Sequence, residues 1–229
     1  MKISVVIAGG GSGKRMQSHE NKLFIEIGGT AILAMTTAVF ESTEIVDEII
    51  ITVPADEIER TKALMRQHSF KKVAHVVAGG HTRQASVFNG LQKISTDTNI
   101  VVIHDGARPF VTKEIIITAV NEIKICKAVV VGMPVKDTIK AVNEGGFVTN
   151  TLDRNLLWQA QTPQVFDAAL IKKAHSRAQK IGLTATDDSH LVERLGESVK
   201  MIQGSYKNIK ITTPDDIKTA EAILLSKKH

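Results

Sequence analysis

After a short apolar run the chain reads Ala8-Gly9-Gly10-Gly11-Ser12-Gly13-Lys14-Arg15-Met16, and Lys22 follows. Glycines let backbone N–H groups come close to an anion, and Lys14, Arg15 and Lys22 neutralise what those groups hold, so the segment suits a polyphosphate. Other segments carry similar chemistry: GGHTRQAS holds Gly80, His81, Arg83 and Ser86, HDGARPF holds Asp105 and Arg108, and GMPVKDT holds Thr138. A carboxylate placed like Asp105, just past a predicted strand, can meet a ribose, a hydrated magnesium ion or the hydroxyls of a second substrate.

Spacing separates three readings of the glycine loop. A dinucleotide fingerprint started at Gly9 puts Lys14 where its third glycine belongs. A Walker loop finds Ala8 in place of its first glycine and Arg15 in place of its magnesium-binding hydroxyl. Gly11-Ser12-Gly13-Lys14-Arg15-Met16 instead resembles the G-x-G-x-R-M signature of sugar-nucleotide pyrophosphorylases and their relatives, with a glycine-rich surface turn as the plain alternative.

These loops need a frame. Runs rich in β-branched residues recur at Ile3 to Ile7, Ile49 to Val53, Val73 to Val77, Ile100 to Ile103 and Ala128 to Val131. Helical spacing falls between them, as at Ala31 to Phe40, Ile58 to Met65 and Ile115 to Ile123. The alternation predicts an α/β fold, a doubly wound and mostly parallel sheet with helices on both faces, whose ligands bind beyond the carboxyl ends of the strands. Val135 to Arg154 breaks the rhythm with Asn143, Gly145 and Gly146 and reads as a β-hairpin arm. Helical patterns near Ala168 to Ala178 and Asp187 to Leu195, a strand near Val199 to Ile202 and a final helix opened by Pro214 complete one domain over residues 1–229. Asp187 and Asp188, after Thr186, read as a helix start rather than as a metal pair.

The single cysteine, Cys126, forms no internal disulfide and no Cys-rich zinc site, which predicts a reducing, cytoplasmic setting. No apolar run approaches a membrane span and the amino terminus lacks a signal-peptide pattern, so a soluble, untargeted protein is expected. A net charge of +5 and nine aromatic residues (Trp 1, Tyr 1, Phe 7) without a basic-aromatic stripe argue against a nucleic-acid partner.

Together GGHTRQASVFNGL, HDGARPFV, VKDTIK, TLDRNLLWQAQTPQVF, TDDSHLVE and NIKITTPDD resemble, nearly end to end, the 2-C-methyl-D-erythritol 4-phosphate cytidylyltransferase family. The resemblance implies a nucleotidyltransferase of the non-mevalonate isoprenoid pathway, in which an acceptor phosphate attacks the α-phosphorus of CTP and diphosphate leaves. By resemblance Arg15 and Lys22 contact the triphosphate, while Arg154 and Lys210 hold the acceptor phosphate; these four are the candidate catalytic residues. The nucleotide is implied to meet Gly9, Gly10, Gly11, Gly13, Gly80, His81, Arg83, Ser86 and Asp105. The acceptor is implied to meet Asp105, Arg108, Thr138, Arg154, Thr162 and Lys210. The family further implies Mg²⁺ bound mainly with CTP, in contact with Asp105 directly or through water, and a homodimer through the arm at 135–154. Two features depart from its pattern: the loop opens Ala8-Gly9-Gly10-Gly11 where the family has Pro-Ala-Ala-Gly, and Lys22 sits in Asn21-Lys22-Leu23 where the family has Pro-Lys-Gln. The first leaves a ribitol 5-phosphate cytidylyltransferase open, and a regulatory nucleotide-binding module without catalysis is a reading from another class.

Overall fold

Strand β1, Lys2–Ala8, is apolar on both faces because it runs through the middle of a sheet that is covered on both sides. The structure is a computed structural model that describes residues 1–10 and 21–226. The chain continues through β2 (Glu26–Ile27), β3 (Thr30–Ala31), α1 (Ile32–Glu41), β4 (Glu48–Val53), α2 (Ile58–Gln67), β5 (Val73–Ala78), α3 (Arg83–Leu91) and β6 (Thr98–Asp105). It goes on through α4 (Lys113–Glu122), β7 (Ala128–Pro134), β8 (Lys140–Val142), β9 (Val148–Thr151), β10 (Trp158–Asp167), α5 (Ala168–Ile181), α6 (Asp188–Glu193), β11 (Lys200–Gln203) and α7 (Pro214–Ser226).

Seven strands form the main sheet in the order β11-β7-β10-β6-β1-β4-β5, parallel throughout except for β10. Alternate residues of β1 face opposite layers: Val5 and Ile7 pack with Leu33, Phe40 and Ile116 of α1 and α4, while Val6 packs with Val87, Leu91 and Ile171 of α3 and α5. A smaller cluster of Ile27, Ile32, Phe110, Ile211 and Ala220 holds α7 against α1.

The β-branched runs all became strands, and the sequence expectation names neither the short β2–β3 pair, nor α3, nor β10, of which only β10 belongs to the main sheet. Its stretch WQAQTPQVFD carries Gln161, Gln164 and Pro163, which weaken an apolar signature. The structure buries both glutamines and satisfies their amides, so an apparently polar segment runs antiparallel between β6 and β7, with a register shift between Ala160 and Gln164. The segment expected as an arm contains the antiparallel pair β8 and β9, with every residue of β9 exposed.

At the amino-terminal ends of β1, β4 and β6 a buried polar cluster ties the central strands together. Glu48 accepts from the Ser4 hydroxyl at 2.5 Å, the Ser95 N–H at 2.7 Å and the Ser95 hydroxyl at 2.8 Å. Burial opposes its ionisation, yet the bonds from Ser4 and Ser95 prevail and lower its pKa. Glu48→Ala is therefore expected to cost about 1–3 kcal/mol of stability, read as a lower urea midpoint at pH 7, with turnover unchanged. Because the folded pKa lies below the unfolded value of about 4.3, the contribution of Glu48 is present above that pH and is lost as pH falls through the folded value. The gap between wild type and variant should therefore close in acid.

Candidate active site

At the opposite, carboxyl-terminal ends of β1 and β6 lies a cleft of about 380 Å³, lined by Gly9, Gly10, Lys22, Arg83, Asp105 and Lys210 among others. A second hollow of about 480 Å³ adjoins it through Gly10, His81 and Arg83 and reaches Gly79 and Gly80. Close packing explains why two of the glycines are glycine. The Gly9 N–H donates to the Thr52 carbonyl at 2.7 Å, and a Cβ on Gly9 would sit 2.7 Å from that same oxygen. A Cβ on Gly10 would run into the Ser86 hydroxyl. That hydroxyl accepts from the Gly80 N–H at 3.0 Å and donates to the Thr82 carbonyl at 2.9 Å, which stitches the β5–α3 loop to the first turn of α3. Thr82 caps the helix by accepting from the Ala85 N–H.

Asp105 is the electrostatic centre. Its Oδ1 faces Arg83 Nε at 2.8 Å, and its Oδ2 faces Lys210 Nζ at 2.9 Å and Arg108 Nε at 3.4 Å. Burial alone would push the carboxyl pKa up, but the charges of Arg83, Lys210 and Arg108 outweigh it and hold Asp105 well below the usual carboxylate range. Arg83 also donates through Nη1 to Asp188 Oδ2 at 2.7 Å, and Asp188 Oδ1 meets His175 Nε2 at 3.0 Å. Burial works against the charge of Arg83, but Asp188 and Asp105 keep the guanidinium ionised. Burial likewise opposes ionisation of Asp188, and Arg83 with His175 lowers its pKa nevertheless.

The cations come from distant parts of the chain, and backbone carbonyls fix two of them, Lys22 and Arg108. Lys22, in a single 3-10 turn at Lys22–Phe24 capped by Asn21, donates to the Ile211 carbonyl at 3.0 Å. Ile211 N–H donates to the Ala107 carbonyl at 2.9 Å, so the segment between β11 and α7 that carries Lys210 is fastened to the loop that carries Arg108. Arg108 Nη1 donates to the Asn208 carbonyl, and the buried Asn208 amide donates to Gln161 Oε1 and the Thr162 carbonyl. Thr162, 3% exposed, accepts from the Asp105 N–H at 3.0 Å and holds that residue's backbone. His104, whose pKa burial lowers to about 4, is neutral and meets the Arg108 carbonyl through Nε2.

Of the residues named from the sequence, Gly9, Gly10, Lys22, His81, Arg83, Asp105 and Lys210 share the cleft, while Gly80 lies in the adjoining hollow and Ser86 packs beneath it. Arg108 and Thr162 brace Asp105. Thr138 and Arg154 do not line the cleft: both are exposed at the hairpin, where Arg154 donates to the Lys136 carbonyl. Gly11, Gly13 and Arg15 lie outside the described residues. The reading of Asp187 and Asp188 as a helix start holds for both, Asp187 as the cap of α6 and Asp188 as its first residue, and the Asp188 side chain turns inward to Arg83. His175, Gln164 and Asn208 escaped the sequence reading, as did the inward contact of Asp188, for which the doubled aspartate of TDDSHLVE was the one available signal.

Among the described residues no group of three His, Cys, Asp or Glu side chains could hold a metal ion, and Asp105 is the one carboxylate lining the cleft. With both its oxygens engaged by cations, Asp105 fits a metal carried in by an anionic ligand better than one held by protein alone. The arrangement can bind a polyphosphate and stabilise charge that develops on it, without a covalent nucleophile.

Comparison with known proteins places this geometry in context. The sequence model of the family described as 2-C-methyl-D-erythritol 4-phosphate cytidylyltransferase matches residues 3–226. The chain is 49% identical over 229 residues to the protein of that name from Halalkalibacterium halodurans, covering 100% of both. It is 45% identical to the one from Caldanaerobacter subterraneus, covering 98% of this chain and 99% of the relative. Among solved structures, 4-diphosphocytidyl-2C-methyl-D-erythritol synthase from Anaerococcus prevotii matches with a TM-score of 0.87 and 34% identity, covering 98% of this chain and 96% of that one. The cytidylyltransferase from Thermus thermophilus matches with a TM-score of 0.81 and 32% identity, covering 98% and 100%.

Proposed function

The chain belongs to the 2-C-methyl-D-erythritol 4-phosphate cytidylyltransferase family, and from that premise we propose how its cleft joins CTP to its acceptor. The protein is a nucleotidyltransferase of isoprenoid biosynthesis. An oxygen of the acceptor phosphate forms a bond to the α-phosphorus of CTP, the bond from that phosphorus to the bridging oxygen breaks, and diphosphate leaves with the electron pair. The products are 4-CDP-2-C-methyl-D-erythritol and diphosphate.

The observation that carries the assignment of roles is the gathering of Gly9, Gly10, Lys22, Arg83, Asp105 and Lys210 around one cleft. Gly10 and Lys22, with Arg15, receive the triphosphate where no Cβ blocks its approach; the adjoining hollow at Gly80 and His81 takes the cytosine edge. Lys210 neutralises the acceptor phosphate as it approaches, and Asp105 fixes that ammonium while accepting from hydroxyls of ribose or acceptor. Mg²⁺ carried by CTP would offset charge on the departing diphosphate, and Asp105 is the residue that would contact it, directly or through water. The lone cysteine, Cys126, supports a reducing, cytoplasmic setting. No described helix is long and apolar enough to cross a membrane.

The arm supports a homodimer. Val142, Phe147, Val148 and Leu156 are 56%, 74%, 59% and 80% exposed, an apolar surface that a second copy would cover. Arg154 and Thr138 sit on the same segment and outside their own protomer's cleft, so dimerisation would let them reach the acceptor phosphate in the partner's cleft. Phe147→Asp is expected to shift the protein from dimer to monomer in sedimentation at micromolar concentration, and to raise KM for the acceptor more than KM for CTP. A wild-type monomer in the same run would refute the dimer.

Diphosphate release with CTP and Mg²⁺, measured with methylerythritol phosphate and ribitol phosphate in parallel, tests the function. Strong preference for methylerythritol phosphate is expected; preference for ribitol phosphate would overturn the acceptor.

A further inference from the structure

Behind the cleft a line of side chains runs into the protein: Lys210 to Asp105, Asp105 to Arg83, Arg83 to Asp188, and Asp188 to His175, with separations of 2.9, 2.8, 2.7 and 3.0 Å. His175 and Asp188 are each 1% exposed, so neither meets a substrate. His175 stands on α5, while Asp188 opens α6 with its N–H held by Gln164 Oε1 at 3.2 Å. Asp188 therefore has its backbone tied to β10, one oxygen tied to α5 and the other tied to the guanidinium.

We propose that His175 is a positioning residue for cytidylyl transfer, acting through Asp188 to set the orientation of the Arg83 guanidinium and, through Arg83, of Asp105 and Lys210. This rests on the functional reading above. An ionised Asp188 carboxylate accepts a hydrogen bond, so the imidazole presents Nε2–H to it, and this donor blocks rotation of the carboxylate about its Cβ–Cγ bond. Arg83 is held by a pair of carboxylates, Asp105 on Nε and Asp188 on Nη1, and the plane of the guanidinium follows from both. If Asp188 turns, Arg83 loses one of its two fixed points, and Asp105 and Lys210 shift where charge develops in the transition state. Small displacements of groups that orient reactants carry rate penalties of up to about 100-fold.

The test compares His175→Leu, which fills similar volume without a donor, with His175→Gln, whose amide N–H reaches about as far as Nε2. Rates are taken well below each variant's unfolding transition, and wild-type turnover of CTP with methylerythritol phosphate is established first; its absence would sink the functional reading and not the positioning. The expected result is a fall in kcat of at least about tenfold in His175→Leu with KM for CTP within about twofold, and recovery to within about threefold of wild type in His175→Gln. Should the leucine variant not fold, His175→Asn, whose amide stops short of Asp188, takes its place with the same expectation. The nitrogen-15 chemical shift of Arg83 Nε, followed without substrate, should move in the leucine or asparagine variant and return in the glutamine variant. Unchanged kcat in a donor-less variant, or equal loss in the glutamine variant, would overturn the proposal and leave His175 a structural partner of Asp188.

Discussion

Lys210→Ala is expected to lower kcat/KM by about 10²- to 10³-fold, the range seen when one preorganised donor to a developing charge is removed. The residue is suited to so large an effect because its ammonium is fixed before substrate arrives. Asp105 Oδ2 holds it at 2.9 Å, and the neighbouring Ile211 N–H is anchored to the Ala107 carbonyl at 2.9 Å. Removing the side chain at Cβ leaves Asp105 with Arg83 and Arg108, so no buried charge is orphaned and the fold should persist. The measurement is steady-state kinetics with each substrate varied in turn, alongside a urea midpoint. Loss should appear chiefly in kcat and in KM for the acceptor, with the midpoint close to wild type. A variant within about threefold of wild type would remove Lys210 from the machinery.

Arg83→Ala has a different expected outcome, a loss of stability as well as of activity. The guanidinium lies between two buried carboxylates, and breaking a buried pair by removing one partner costs about 3–5 kcal/mol because a charge is left behind. Against a total of about 5–15 kcal/mol that is a large fraction. The pH dependence should also change sign. In the wild type the pKa of Asp188 is lowered, so its stabilisation is present above the unfolded value of about 3.9 and is lost as pH falls. Without Arg83, Asp188 keeps His175 but burial prevails and its folded pKa rises above the unfolded value. The folded state then binds the extra proton, and stability falls as pH rises through the new value. Urea midpoints at pH 5 and pH 8 should show the variant's deficit smaller at pH 5. An equal deficit at both would mean that Asp188 is not left as an uncompensated charge.

How far the sequence foretold this molecule differs between frame and site. Strands such as Ile49 to Val53 were legible because a central parallel strand is apolar on both faces. β10 was not, because Gln161 and Gln164 are buried only by virtue of partners at Ser205, Asn208 and Asp187 that lie far away in the chain. Within the site, the glycine loop with Lys14, Arg15 and Lys22 carried its own chemistry, whereas Arg154 and Lys210 were named by resemblance alone. Asp188 could not be told from Asp187 by local pattern, since either can cap a helix. Only the packing of α6 against β10 sends one to the helix N-terminus and the other inward to Arg83. His175 had no local signal at all, as it sits among helix-forming residues of α5 and gains its meaning from Asp188. Thr162 was placed at the acceptor by resemblance, and its hydroxyl is bonded to the Asp105 N–H, beneath the carboxylate it supports.

Every role assigned to the cleft around Asp105 depends on attack of the acceptor phosphate on the α-phosphorus of CTP. Its most direct test uses methylerythritol phosphate labelled with oxygen-18 in all phosphate oxygens, incubated with CTP and Mg²⁺ and followed by phosphorus-31 NMR. The expected products are a diphosphate diester that retains the label, one labelled oxygen bridging the two phosphorus atoms, and an equal amount of unlabelled diphosphate. Labelled diphosphate, or loss of CTP without a diester, would contradict it.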